Sequence, residues 1–62
     1  MADPKFKIRK SKNDQYYFNL HAKNGEIIAT SESYVSKQGC EKGIESVKAN
    51  APIADTDDLT QE

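Results

Sequence analysis

The segment from Asn24 to Ala51 constrains the fold more than any other part of this 62-residue chain. It opens with Asn24-Gly25, a pair typical of two-residue hairpin turns because both residues tolerate positive φ angles. A short apolar run follows, and Ser36 then offers a hydroxyl group that can cap the first turn of a helix. Pro52 disfavours helical geometry at Ala51, so the helix is expected to end there. The sequence therefore predicts an α+β fold in which strands precede one helix.

Two further strands are predicted upstream of this segment. Residues 5–10 alternate between charged and apolar side chains, and residues 15–22 alternate again after a cluster of turn-forming residues at 11–14. A three-stranded antiparallel meander followed by one amphipathic helix gives the order βββα. Residues 53–55 leave room for a short final edge strand, which the sequence neither requires nor excludes.

A two-residue turn at Asn24-Gly25 also predicts the register of its hairpin. Directly opposed residues share one face of a sheet, so each pair belongs either to the core or to the outside. The predicted pairs are Ala22 with Ile27, His21 with Ile28, and Leu20 with Ala29. Together with the apolar stripe of the helix, they predict a core of Phe6, Ile8, Tyr16, Phe18, Leu20, Ala22, Ile27, Ala29, Cys40, Ile44 and Val47.

Few apolar residues are available for such a core. Hydrophobic residues make up 35% of the chain, and its mean hydropathy is −0.86. Chains of this length usually need a disulfide, a metal or a partner chain in addition to a core. Cys40 has no second cysteine to pair with, and His21 is the single histidine, without zinc-type spacing. We therefore expect a homodimer that buries part of the sheet or its edges, with no metal and no cofactor.

Charge is distributed unevenly along the chain. Residues 4–50 carry nine basic and five acidic side chains, whereas residues 51–62 carry four acidic side chains and no basic one. We interpret residues 4–55 as a single module, flanked by disordered segments at 1–3 and, as an acidic tail, at 56–62. The lone thiol and the absence of an N-terminal signal-peptide pattern favour a cytoplasmic location. No apolar run reaches the length of a membrane span.

Three stretches between Phe6 and Pro52 form a recognisable pattern: FKIRKSKNDQYYFNLHAKNGEII, SESYVSK and GIESVKANAP. They resemble the YegP-like family of small bacterial proteins, which are built from one or two copies of a short module. The resemblance implies a three-stranded meander with a helix packed on it and, for a chain with one copy, a homodimer. It implies no catalytic residue, since no activity is established for the family. Ser33 stands where the family usually has glycine, and a positive φ angle there would strain a serine.

Individual residues that could support chemistry have simpler structural interpretations. His21 lacks an orienting carboxylate and a nucleophile at a suggestive spacing, which favours a surface or dimer-contact histidine. Cys40 lies near the helix start, where a thiol can become reactive, but its place on the apolar stripe favours a buried side chain. Glu41 and Glu45 share a helical face with lysines and are interpreted as solvated charges.

Hydroxyl groups are concentrated just before the helix, at Ser31, Ser33, Tyr34 and Ser36. A helix N-terminus can bind an anion, but this segment lacks the glycine-rich loop and the Lys-Ser/Thr pair of a P-loop. A capped connection from strand to helix is the preferred interpretation, and anion binding is the alternative.

The outer face of the sheet, the face that points away from the predicted core, has no simple structural interpretation. Exposed aromatic and aliphatic residues beside several bases can indicate a binding surface. We interpret the chain as a non-catalytic interaction or accessory protein that contacts a second copy or another protein. The alternatives are nucleic-acid binding through this basic face and a plain solvated surface. The candidate residues are Lys5, Lys7, Arg9, Tyr17, Asn19, His21, Ile28 and Thr30.

Overall fold

The computed structural model describes residues 3–60. The strands form one antiparallel sheet in the order β1-β2-β3. The predicted α+β fold, a meander of three strands followed by one helix, is confirmed. The elements along the chain are β1 (Lys5–Lys10), β2 (Tyr16–His21), β3 (Ile27–Thr30), α1 (Lys37–Asn50) and a 3₁₀ helix (Ala51–Ile53).

The alternation of charged and apolar residues in β1 determines which side chains face the helix. Ile8 lies opposite Phe18, and Lys7 lies opposite Asn19. Because opposed residues share a face, the apolar side chains of β1 lie on the inner face, beneath α1, and its bases lie on the outer face. This is the arrangement that the sequence predicts.

The turn between β2 and β3 differs from the predicted two-residue type I′ turn. The Ala22 N–H donates to the Glu26 carbonyl at 2.7 Å, and the Gly25 N–H donates to the Ala22 carbonyl at 2.9 Å, so three residues form the loop. Gly25 has a φ angle of 91°, and Asn24 does not adopt a positive φ. Such loops combine a type I turn with a left-handed glycine. The Asn24 side chain accepts a hydrogen bond from the Glu26 N–H at 3.0 Å and so holds the turn.

A register shift in β3 compensates for the longer loop. His21 lies opposite Ile27, but Leu20 lies opposite Ala29, which leaves Ile28 as the extra residue of a bulge. The prediction for Leu20 and Ala29 is therefore confirmed. The predictions that paired Ala22 with Ile27 and His21 with Ile28 are wrong, because the three-residue loop shifts the pairing next to the turn.

The core is smaller than predicted and lies beneath β1 and β2. Phe18, Cys40 and Ile44 are buried, and Phe6, Ile8, Tyr16, Tyr34 and Val47 pack against them while partly buried. Leu20 and Ala22 are half-buried and lie outside this cluster. Ile27 and Ala29 were predicted to be core residues and are exposed. The three-residue loop puts Ile27 opposite His21, and none of the side chains packed in the core cluster comes from β3.

Tyr34 is a core residue that the strand and helix patterns did not reveal. It forms an isolated antiparallel bridge with Tyr16, with reciprocal backbone hydrogen bonds of 2.6 and 2.8 Å. Its ring stacks on Phe18 with the centroids 6.3 Å apart. The periodicity of strands and helices does not extend to this segment, because Tyr34 lies in the irregular connection before α1.

The helix begins as predicted. Ser36 is extended, with φ −135° and ψ 154°, and its hydroxyl group accepts a hydrogen bond from the Gly39 N–H at 3.0 Å. The predicted end needs correction, because Ala51 keeps helical angles despite the following Pro52. Proline is accepted in the first turn of a helix, and here it lies in the first turn of the 3₁₀ helix.

The short final strand that the sequence left open at residues 53–55 is not formed. Ile53 ends the 3₁₀ helix, and residues 54–60 belong to no helix or strand. The predicted disorder of residues 1–3 and 56–62 stays a prediction, and Met1, Ala2, Gln61 and Glu62 lie outside the described residues. Ser33 does not adopt a positive φ, so the strain considered for it does not arise. Within residues 3–60, Asp14 in the first turn is the non-glycine residue with a positive φ, of 61°.

Candidate ligand-binding face of the sheet

The outer face brings together nearly all of the predicted binding residues. The register places Lys5 opposite His21 and Arg9 opposite Tyr17. The central pair, Lys7 and Asn19, is joined on the other side by Thr30, which lies opposite Asn19. The exception is Ile28, whose bulge removes it from the paired register, although it is 61% exposed beside this face.

A polar ladder crosses all three strands on this face. The Arg9 Nε donates to the Asn19 Oδ1 at 2.8 Å, and the Asn19 Nδ2 donates to the Thr30 Oγ1 at 3.1 Å. Asn19 is only 4% exposed, so its amide is a buried polar group with both ends hydrogen-bonded. The ladder fixes the Arg9 side chain through its Nε, which leaves its terminal nitrogens available for a ligand.

His21 lies at the hairpin end of the same face. Its Nδ1 is 3.2 Å from the Gly25 carbonyl oxygen, and a carbonyl only accepts, so Nδ1 carries the hydrogen and donates it. The other ring nitrogen, Nε2, is shielded from solvent and has no hydrogen-bond partner among the described residues. A cavity of about 180 Å³ adjoins the ring, lined by Asp3, Lys5, Lys7, His21, Ala22 and Gly25.

The buried amide and the cavity were not predicted, although one of them left a signal in the sequence. Asparagine is depleted in strands, so Asn19 in the middle of β2 indicated a position with a polar partner. The cavity depends on the three-residue loop at Gly25, which the Asn-Gly pair does not distinguish from a two-residue turn.

Cys40 is buried as predicted, and its side chain is fully enclosed. Burial raises the pKa of its thiol above the ordinary value, and the nearby negative charge of Glu41 adds to the effect. A raised pKa disfavours the nucleophilic thiolate. The residue therefore contributes packing rather than reactivity.

Two of the four hydroxyl groups named before α1, those of Ser31 and Ser36, form hydrogen bonds within the fold. Ser31 accepts a hydrogen bond from the Phe18 N–H at 2.9 Å and donates one to the Glu32 carbonyl at 2.7 Å. Ser36 caps the helix. These bonds support the interpretation of the segment as a capped connection between strand and helix. They also occupy the Ser31 and Ser36 hydroxyl groups, which are then not free to bind an anion.

Residues 3–60 contain neither a cluster of metal ligands nor a membrane-spanning helix. These residues include no group of three or more His, Cys, Asp or Glu side chains placed to hold a metal ion. Neither helix in this part of the chain is long and apolar enough to cross a membrane.

Comparison with known proteins shows the family. Residues 11–58 match the sequence model described as "Domain of unknown function (DUF1508)". The chain belongs to the DUF1508 family. Curated members of this family are named UPF0339 proteins, among them YegP, so the resemblance seen in the sequence is confirmed.

Members of the DUF1508 family differ in length. The UPF0339 protein YegP of Yersinia pestis is 56% identical over 52 residues, which are 84% of this chain and 46% of that protein. A UPF0339 protein of Treponema denticola is 56% identical over 50 residues, which are 81% of this chain and 86% of that protein. The chain thus spans about half the length of the first relative and most of the second.

A solved structure supports the fold directly. The NMR solution structure of a protein from Haloferax volcanii matches with a TM-score of 0.84 and 42% sequence identity, and the match covers 95% of this chain and all of that one.

Proposed function

We propose that this chain is a non-catalytic, cytoplasmic interaction module that works as a homodimer, in which the second copy covers the open part of the inner face. One observation carries the proposal: an apolar row crosses all three strands, and α1 covers only part of it, at Phe6, where Lys48 lies over the ring. Phe6 lies opposite Leu20, and Leu20 lies opposite Ala29. Phe6 and Leu20 are half-buried, and Ala29 is exposed.

A groove of about 490 Å³ runs beside this row, between the sheet and the helix. Its floor is apolar, with Phe6, Ile8, Leu20 and Ile44, and Leu20 is paired with the exposed Ala29 of β3. A second copy carries the same row, so two such surfaces can meet about a two-fold axis. The residues that line the groove are Pro4, Lys5, Phe6, Ile8, Leu20, Ile44 and Lys48.

The accessible surface of the chain supports a second copy. A compact folded monomer of 6.9 kDa is expected to expose about 4,000 Å² from the scaling of surface with mass. The chain exposes 5269 Å², to which the extended residues 54–60 contribute. A stable interface removes about 800 Å² from each partner, which is more than half of the excess over the expected value.

The lengths of the relatives are consistent with this proposal. Relatives of about twice the matched length have room for a second unit of this size in the same polypeptide. Two such units in one polypeptide would correspond to two associated copies of this chain.

A pair of matched substitutions tests this face. Ala29 and Ala49 are both exposed, but Ala29 lies in the apolar row and Ala49 on helix α1, away from the groove lining. We expect light scattering to give a dimer for the wild type and for Ala49→Glu, and a folded monomer for Ala29→Glu. A wild-type chain that stays monomeric at high concentration would contradict the proposal, as would an Ala29→Glu variant that dimerises normally.

Nucleic-acid binding through the outer face is a second candidate function, favoured by one specific observation. The Arg9 side chain is held by Asn19, and Lys5 and Lys7 follow on the same face of β1. Cations in fixed positions are suited to phosphate contacts, which position a protein on nucleic acid without reading its sequence.

Titration with single-stranded and duplex DNA at about 50 and 200 mM salt tests this candidate, because phosphate-driven binding weakens steeply with salt. Arg9→Gln should weaken binding, whereas Lys12→Gln, the same loss of charge in the first turn, should weaken it less. Absence of binding at the lower salt would exclude the candidate.

A further inference from the structure

The cavity at the hairpin end of the outer face combines three features that point to one class of ligand. Two lysines, Lys5 and Lys7, line it from β1, and both are exposed, so their ammonium groups can turn toward a ligand. His21 contributes a ring nitrogen, Nε2, that has no hydrogen-bond partner within residues 3–60. The volume, about 180 Å³, is several times the roughly 30 Å³ that a water molecule occupies in the liquid.

The tautomer of the His21 ring determines whether the ligand must donate or accept a hydrogen bond. In a neutral imidazole one nitrogen donates and the other accepts. In the neutral ring, the hydrogen that Nδ1 of His21 donates to the Gly25 carbonyl leaves Nε2 with a lone pair. A buried acceptor without a partner is costly, and the site gains most from a ligand that brings a hydrogen-bond donor to Nε2 and negative charge to the lysines.

We propose that this cavity binds a phosphate group that still carries a proton, either hydrogen phosphate or the monoanion of a phosphomonoester. The P–OH group donates to Nε2 of His21, and the charged oxygens accept from Lys5 and Lys7. Nε2 is shielded from solvent, so this hydrogen bond requires a side chain beside the ring to move when the ligand enters. Lys7 and His21 belong to the outer face, opposite the apolar row, so their part of the cavity does not require a dimer, whereas Lys5 lines the groove beside that row as well.

A site that requires a proton on the ligand distinguishes hydrogen phosphate from anions of similar size and charge. Sulfate has no proton to donate at neutral pH, and neither has the phosphodiester of a nucleic-acid backbone. Both can interact with the lysines alone. Binding of hydrogen phosphate is therefore expected to be about tenfold stronger than binding of sulfate, the difference made by one hydrogen bond to a buried group.

Asp3 also lines the cavity and acts against an anion. Replacing its carboxylate by the neutral amide in Asp3→Asn is expected to strengthen phosphate binding. The same change would weaken binding if the cavity instead held a cation, so this variant distinguishes the two.

The test is an NMR titration of the full ¹⁵N-labelled chain with inorganic phosphate, with sodium chloride added to keep the ionic strength constant. We expect saturable shifts at the His21 ring nitrogens and at the Gly25 amide, with a smaller response to sulfate. His21→Asn keeps a side-chain donor for the Gly25 carbonyl but lacks Nε2, and it should lose about tenfold in affinity. Lys7→Gln should weaken binding, and Lys12→Gln, outside the cavity, should leave it unchanged.

Further arms with a phosphomonoester and with a single-stranded oligonucleotide identify the source of the phosphate group. Saturation by the monoester but not by the oligonucleotide supports the proposal. Equal responses to phosphate and sulfate would overturn it, as would unchanged affinity in His21→Asn or an effect of Lys12→Gln equal to that of Lys7→Gln. A chain that binds phosphate as a monomer would reject the dimer and keep this site.

Discussion

At Gly43 a single methyl group added to the helix would enter space that the ring of Tyr34 already fills. A β-carbon built there would lie 2.8 Å from the Tyr34 ζ-carbon, closer still to its hydroxyl oxygen, and 3.3 Å from the Phe18 ε2-carbon. Alanine is favoured over glycine in a helix by about 1 kcal/mol, but overpacking a core costs about 1–3 kcal/mol. The contact with the tyrosine therefore explains a glycine in the middle of α1.

Gly43→Ala is accordingly expected to lower the free energy of unfolding by about 1 kcal/mol, the net of these two effects. Urea denaturation followed by circular dichroism measures the change. Gly39→Ala is the matched control, because its β-carbon would meet Ser36 Oγ at 3.2 Å and the Tyr34 side chain only at 3.7 Å. Stabilisation of the chain by Gly43→Ala would show that Tyr34 does not lie over the helix as described.

Asn19 is the second residue whose role can be isolated. Asn19→Ala would remove both side-chain hydrogen bonds of the ladder, while Arg9 and Thr30 are exposed residues that water can reach. We expect a loss of about 1–3 kcal/mol in the free energy of unfolding, from two hydrogen bonds worth about 0.5–1.5 kcal/mol each. Asn13→Ala, in the exposed first turn, should change it by less than about 0.5 kcal/mol. Equal effects of the two substitutions would contradict the ladder.

Cys40 makes stability depend on pH in a predictable direction. Burial raises the pKa of its thiol in the folded chain. The stabilisation is present below the thiol's pKa in the unfolded chain, about 8.5, and decreases as pH rises toward the folded value. Cys40→Ala should therefore lose less stability than the wild type between neutral and alkaline pH, as measured by urea denaturation. Parallel pH profiles for the two chains would show that the thiol is not enclosed.

The β2–β3 hairpin shows, at the scale of elements, how two irregularities compensate. A three-residue loop shifts the pairing by one position, and the bulge at Ile28 shifts it back, so Leu20 still meets Ala29. Because the pairing is restored, the apolar side chains of Leu20 and Ala29 share the inner face. Ile27, between the two irregularities, is moved opposite His21.

The two possible turn types respond differently to Asn24→Gly. In a type I′ turn both central residues need positive φ, and glycine there is neutral or favourable. In the observed loop Asn24 has no positive φ and its side chain binds the Glu26 N–H, so glycine should cost about 1 kcal/mol. Thermal or urea unfolding measures the difference, with Lys23→Gly as the control for glycine in the same loop. A stabilising Asn24→Gly would favour the type I′ turn.

These elements show what the sequence could and could not predict. The alternation of charged and apolar residues in β1 predicts correctly which of its side chains face the helix, because successive side chains of a regular strand point to opposite faces of the sheet. Ser36 predicts the helix start, since a cap is a local hydrogen bond. The loop length at Asn24-Gly25, the bulge at Ile28 and the burial of Tyr34 depend on contacts between segments distant in sequence. At the candidate site, the residues of the outer face were predicted from the strand pattern, whereas the cavity depends on contacts between distant segments and was not predicted.

At the scale of the whole molecule, the fold has more apolar surface than one helix covers. Among residues 3–60, only three apolar side chains are buried, whereas Ile27, Ile28, Val35, Ile53 and Leu59 are more than half exposed. A chain of this length lies near the lower limit for a domain that folds alone. Self-association through the row of Phe6, Leu20 and Ala29 would cover further apolar side chains beside the helix, whereas these five exposed residues lie outside that row.

An isotope-filtered NOE experiment on a mixture of labelled and unlabelled chains tests self-association through this row, since it detects only contacts between two copies. The account predicts intermolecular NOEs from the Ala29 methyl group to Phe6 or Leu20 of the other copy, in a particle whose light-scattering mass is twice 6.9 kDa. A compact particle of 6.9 kDa without intermolecular NOEs, or a dimer whose NOEs all come from the outer face, would contradict it.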